Sequence, residues 1–223
     1  MREFLSKGPF FLVSAAFKYV GLYFGYRIRK PLTGPLSGTI SLTYACNLKC
    51  IMCDLPDRHK VYEKDPNRRK LTLDNYFHII KDFAKIGTSS IAFTGGEPLI
   101  YRDFFKLVYE VKKNRMVAQV TVNGWYVKGK IDEIFDSGLD SISISLDGAT
   151  AKTHDSIRGV AGSFNRVIEA LNLLVEERKK RKSKIKINIS ATFSEKNYFE
   201  VRQLVEIADK IGVDYIGFMP VNY

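Results

Sequence analysis

The sequence predicts an α/β fold: a parallel sheet of six strands with helices between them. Two observations carry this. Strand-like and helix-like runs alternate regularly after Gly38, and the glycine-rich or polar motifs fall directly after strand-like runs. Such alternation implies βαβ units, and right-handed crossovers curl them into a barrel or a doubly wound sheet. In both architectures ligands bind at the carboxyl ends of the strands. A chain of 223 residues, 45% of them hydrophobic, can bury one sizeable core.

From Phe10 to Tyr26 nearly every residue is apolar or small, and Lys18 is the only charge. Lys7, Ser14, Lys18, Gly21 and Gly25 share one helical stripe, and Arg27, Arg29 and Lys30 follow. The segment reads as an apolar helix, either lying in a membrane interface over 10–26 or docked on the domain. A spanning helix would be marginal in length and would carry Lys18 near its middle. Ser14-Ala15-Ala16 is a weak cleavage site for export. Pro31, Gly34, Pro35 and Gly38 punctuate a linker, so the expected organisation is an N-terminal segment, 1–33, and a core, 34–223.

The core elements follow in order. Thr39–Tyr44 reads as a strand, 57–70 as an exposed polar loop, and Leu73–Ile86 as a helix capped by Thr72 and stopped by Gly87. Ser90–Phe93 is a strand running into Thr94-Gly95-Gly96-Glu97-Pro98. A helix over Phe104–Lys113, a strand over Ala118–Val122 and a short helix over Lys130–Asp136 come next. The strand Ser141–Leu146 ends in Asp147-Gly148. Phe164–Arg181 is a long helix, Lys186–Thr192 a strand, Tyr198–Ile211 a helix and Tyr215–Met219 the sixth strand. The chain reaches Tyr223 without a closing helix, which reads as a C-terminally truncated core.

The chemistry concentrates in Cys46, Cys50 and Cys53, the only cysteines, spaced C-x3-C-x2-C. An odd, tight cluster cannot form a disulfide framework, so it argues against secretion and for a metal site in the cytosol. Three thiolates on one loop can hold three irons of a [4Fe–4S] cube and leave the fourth iron to a small molecule. A zinc site completed by His59 is the alternative, and an electron-transfer cluster is another. The net charge of +11 permits an anionic partner without naming it. The run 178–186 reads as a hydrated helix end, which leaves nucleic acid disfavoured. Pro66-Asn67-Arg68-Arg69-Lys70 is the better candidate contact for an anionic substrate or partner.

With Gly95-Gly96-Glu97-Pro98 on the second strand after the cysteine loop, the chain resembles the radical S-adenosylmethionine (SAM) superfamily from about Gly38 onward. Its likeness is greatest to the branch of the molybdopterin-pathway cyclase and peptide-modifying enzymes. The resemblance implies a partial (βα)6 TIM-like barrel, a [4Fe–4S] cluster on Cys46, Cys50 and Cys53, and SAM chelating the open iron. It also implies an external flavodoxin- or ferredoxin-like electron donor and a 5′-deoxyadenosyl radical that takes hydrogen from a substrate, such as a peptide or lipid-linked molecule. By the same resemblance Gly95, Gly96 and Glu97 serve the methionyl end, Ser145 and Asp147 the ribose, and Arg158 the carboxylate. Met52 and Met219 then lie against adenine. Met52 stands where the family usually has an aromatic residue, which removes ring stacking but spares a main-chain bond. The implied location is the cytosol, with the apolar helix available for peripheral attachment to the inner membrane face. Without a fourth cysteine, the chain lacks the methyl-carrying cysteine of the RNA-methylating branch.

Overall fold

A computed structural model describes residues 9–67 and 69–221. Its sheet has six strands in the order β1 to β6, every neighbouring pair parallel. They are β1 Ser37–Ser41, β2 Ser90–Thr94, β3 Val117–Val122, β4 Ser141–Ser145, β5 Lys186–Phe193 and β6 Tyr215–Pro220. Spatial order equal to chain order means that each crossover advances by one strand, as in a barrel wall. The expected strands and their sequence of crossovers are thus present, and β6 is the last element described.

The two faces of the sheet differ in chemistry. Ile40, Ile91, Phe93, Val120, Ile142, Ile144, Ile187 and Ile189 are buried in one apolar cluster. Helices cover that face: α3 Leu73–Lys85, α4 Phe104–Lys113, α5 Ile131–Asp136, α7 Ser163–Arg181 and α8 Val201–Ile211. They contribute Ile80, Leu107, Val111, Ile134, Leu171 and Leu204 to the same cluster. Strand side chains alternate between faces, so Ser41, Thr94, Ser143, Ser145, Asn188, Ser190 and Thr192 line the other side. A closed barrel would fill that side with branched apolar residues; here it is polar and part-exposed.

Helix ends follow the local sequence. Thr72 and Asn75 form a reciprocal capping box at the start of α3, and Gly87, with φ of 80°, follows its end. Two expectations fail. The polar stretch 57–70, expected as a loop, overlaps α2, Leu55–Lys64, which buries no residue. Pro56 in its first turn and an Arg58–Asp54 pair at i, i+4 spacing support a helix that no apolar stripe announces. Likewise the stretch between Asp147-Gly148 and the long helix, where no element is predicted, holds α6, Ala151–Arg158. The Thr150 hydroxyl accepts from the Thr153 amide at its start, and Gly159, with φ of 70°, caps its end. The helix expected from Tyr198 begins with a 3₁₀ turn before α8.

Helix α1, Pro9–Ile28, precedes the sheet. The Lys18 ammonium donates to the Gly87 carbonyl and, at 2.7 Å, to the Ser89 hydroxyl. A Cβ on Gly25 would sit 2.7 Å from the Lys30 carbonyl oxygen, so the following chain folds back closely on this helix. The small stripe through Lys18, Gly21 and Gly25 therefore faces the protein; Lys7 and the Ser14 side chain lie outside the described residues. Phe17, Tyr23, Phe24 and Tyr26 point outward. Among the described residues no helix is long and apolar enough to cross a membrane.

Candidate functional site

Cys46, Cys50 and Cys53 occupy the loop that leaves β1, and none forms a disulfide. Cys46 and Cys50 are partly buried, while Cys53 is exposed. The loop is held from both sides.

On the β2 side the contact is backbone against backbone. The Gly96 amide donates to the Thr43 carbonyl at 2.6 Å and the Glu97 amide to the Ala45 carbonyl at 2.9 Å. A Cβ on Gly96 would lie 2.1 Å from the Ala45 oxygen, and Gly95 holds φ of 128°. The glycines are thus needed to seat the residues that precede Cys46. The Glu97 carboxylate turns inward: it accepts from the Leu99 amide at 2.9 Å and the Asn123 amide at 2.8 Å. Burial pushes it up to about 7, against those two donors. Asn123, at the end of β3, carries the connection on to the loop: its side-chain amide lies 3.8 Å from the Cys46 sulfur and donates to the Asn47 side-chain oxygen, Oδ1, at 2.8 Å.

On the α6 side the contact is ionic. The Lys49 and Ile51 amides donate to the Arg158 and Ile157 carbonyls at 3.1 and 2.9 Å, so the last carbonyls of α6 receive the loop. The Arg158 guanidinium pairs with Asp147 at 2.7 Å and approaches the Cys50 sulfur at 3.7 Å. Asp147 is fully buried and also accepts from the Thr192 amide at 2.8 Å. Burial pushes the Asp147 carboxyl up despite Arg158 beside it. Burial works to lower the Arg158 pKa as well, but Asp147 and Cys50 outweigh it and hold it above its ordinary value. Behind the pair, His154 accepts from the Asp147 amide at 3.1 Å, and burial drives it down to about 3, so its ring is neutral.

The remaining expected positions share the carboxyl end of the sheet. Met52 lies on the loop, half-buried; Ser145 ends β4 opposite Ser190, and Met219 lies on β6 opposite Thr192. Asn123 was legible from the sequence through the Asn123-Gly124 pair that ends the third strand. Nothing local marked His154 or Asn197. Asn197 donates to the Asp147 and Thr192 carbonyls at 2.7 and 2.8 Å. The run 178–186 is also less free than expected. Arg178 and Lys186 pair with Asp214, and Arg181 pairs with Asp132, Asp136 and Glu177.

The donor set suits a cluster. Burial raises both the Cys46 and Cys50 thiols, while an amide aimed at the first and a guanidinium at the second oppose it. Donors to sulfur stabilise bound thiolates and tune a cluster's potential. His59, the alternative fourth ligand for a zinc ion, lines a cavity on the β1 side.

Comparison with known proteins agrees. The radical SAM superfamily profile matches residues 40–206. The chain is 30% identical over 172 residues to an AdoMet-dependent heme synthase of Methanosarcina barkeri (strain Fusaro / DSM 804), covering 77% of this chain and 46% of the relative. It is 29% identical over 187 residues to a GTP 3′,8-cyclase of Clostridium perfringens (strain SM101 / Type A), covering 82% and 55%. The chain spans about half the length of these curated relatives. In fold it is similar to Streptococcus suis SuiB bound to S-adenosylmethionine, with TM-score 0.69 and 20% identity over 86% of this chain and 42% of that one. SuiB bound to its precursor peptide SuiA gives TM-score 0.68 at 20% identity, over 85% and 40%. The superfamily is one of enzymes that use a [4Fe–4S] cluster and SAM, and this chain belongs to it.

Proposed function

We propose that this chain is the catalytic core of an enzyme that cleaves SAM reductively and directs the resulting radical at a bound substrate. The observation that carries the reading is the cysteine loop, seated at the carboxyl ends of a parallel sheet with polar donors aimed at two of its sulfurs. When bound, the cluster supplies one electron, received from an external donor, that splits SAM into methionine and a 5′-deoxyadenosyl radical able to take hydrogen from substrate. Cys46, Cys50 and Cys53 hold the cluster. Main-chain groups of Gly95 and Gly96 receive the methionyl amine, Ser145 faces the ribose, and Arg158 has donors to share between Asp147 and a carboxylate. Met52 and Met219 border the adenine. The Glu97 and Asp147 carboxylates hold this frame in place rather than reaching the ligand themselves, since both are fully buried. Anaerobically reconstituted protein with a chemical reductant is expected to release 5′-deoxyadenosine and methionine in equal amounts. Protein with a full iron complement and no product overturns the reading.

A second reading concerns location. Helix α1 turns Phe17, Tyr23, Phe24 and Tyr26 away from the domain and has Arg27 in its last turn, with Arg29 and Lys30 directly after it. Exposed aromatic rings beside cations suit an anionic lipid surface, and the proposed place is the inner membrane face. Flotation with anionic liposomes compares the full chain with a variant beginning at Gly34; equal flotation excludes attachment through this helix.

A further inference from the structure

A cavity of about 520 Å³ lies on the β1 side of the cysteine loop, and none of the positions assigned above to the cluster or to SAM lines it. Its wall includes Thr43, Tyr44 and Ala45, the three residues before Cys46. Thr43 and Ala45 also accept the Gly96 and Glu97 amides. One thickness of chain therefore separates the cavity from the Gly-Gly turn. Its size falls within the range of small-molecule sites.

The lining is cationic and aromatic. His59 and Tyr62 come from α2, and Arg69 and Lys70 from the stretch after it; Arg68 lies outside the described residues. The one carboxylate in the wall, Glu63, lies 3.3 Å from the Lys70 ammonium. Arg69 pairs with no carboxylate among the described residues, and its carbonyl is fixed by the Tyr62 hydroxyl at 2.9 Å. Four tyrosines form two edge-to-face pairs in the wall, Tyr44 with Tyr62 and Tyr76 with Tyr101, each with centroids 5.8 Å apart. The Tyr76 hydroxyl is occupied by the Leu42 carbonyl, while those of Tyr44 and Tyr101 have no protein partner among the described residues. An unpaired guanidinium and two free hydroxyls in a wall that also holds aromatic rings match an anionic group carried on a flat body.

We propose that this cavity is a subsite for an organic anion, a carboxylate or phosphate on a ring-bearing body, anchoring the substrate beside the cysteine loop. That the anion belongs to the substrate rests on the radical reading above; that the cavity binds it does not.

Calorimetric titration of the full-length protein, without reductant, tests the site with benzoate, phenyl phosphate and the neutral benzyl alcohol. The two anions are expected to bind at one site per chain and to weaken as salt rises. Arg69→Ala should weaken them about tenfold, and Arg69→Lys should keep part of the affinity. Equal binding of benzyl alcohol, or anion affinity unchanged in Arg69→Ala, overturns the proposal. A capped Tyr-Glu dipeptide that binds more tightly than the free acids assigns the anion to a peptide, and weaker binding assigns it to a free small molecule; either order supports the site. Protein that cleaves SAM but binds no anion refutes the subsite alone. Protein that binds anions but never cleaves SAM refutes the radical reading alone.

Discussion

The cysteine loop is gripped by two flanks built on different physics. The β2 flank is neutral: glycines allow main-chain contact, and a buried carboxylate gathers two amides. The α6 flank is electrostatic: a buried Asp147–Arg158 pair reaches a cysteine sulfur, with a neutral histidine behind it. Main-chain contact fixes where the loop sits but places no charge beside it. A buried pair sets the field around one sulfur, and it fails badly when half of it is removed. The two flanks should therefore respond differently to substitution and to pH.

The largest difference is expected from Asp147→Asn, which leaves the Arg158 cation buried without its partner. It should lower unfolding stability by about 3–5 kcal/mol, read by urea titration. Gly96→Ala, on the neutral flank, forces a Cβ toward the Ala45 oxygen and should lower stability by about 1–3 kcal/mol while also reducing iron retained on reconstitution. If Gly96→Ala proves the more damaging to stability, the contrast between the flanks is wrong.

pH should separate them by sign. His154 is held at about 3, below its ordinary 6.5, so the unfolded chain binds its proton first. The stability tied to it is complete above pH 6.5 and is lost as pH falls toward 3. Glu97 is raised from 4.5 to about 7, so its contribution is complete below pH 4.5 and is lost as pH rises toward 7. Hydrogen exchange corrected for intrinsic rate should show Asp147 amide protection declining on acidification and Asn123 amide protection declining on approach to neutrality. Parallel responses at the two amides would remove the distinction. The smallest effect is expected away from both flanks. Arg58→Ala breaks an exposed i, i+4 pair on α2 and should change stability by less than about 0.5 kcal/mol.

The sheet was legible because its strands carry their own period. In Ser141–Ser145 serine and isoleucine alternate, and the isoleucines face the helices. The motifs were legible as strand-end features, because carboxyl-end loops converge in any parallel sheet. Helix α2 was not, since it buries nothing and so has no apolar period to read. Helix α6 was short enough to pass for a loop, although its Thr150 cap and terminal Gly159 were both in the sequence. Gly96 could be picked out, but its cause could not. The close approach of Ala45 is a tertiary fact, as is the burial of Asp147 against Arg158 across eleven residues of chain.

Electron paramagnetic resonance of the anaerobically reduced protein, recorded before and after adding SAM, tests the central claim most directly. The account predicts a signal from a reduced [4Fe–4S] cluster whose shape changes when SAM occupies the iron that the three cysteines leave open. A cluster signal identical with and without saturating SAM contradicts it.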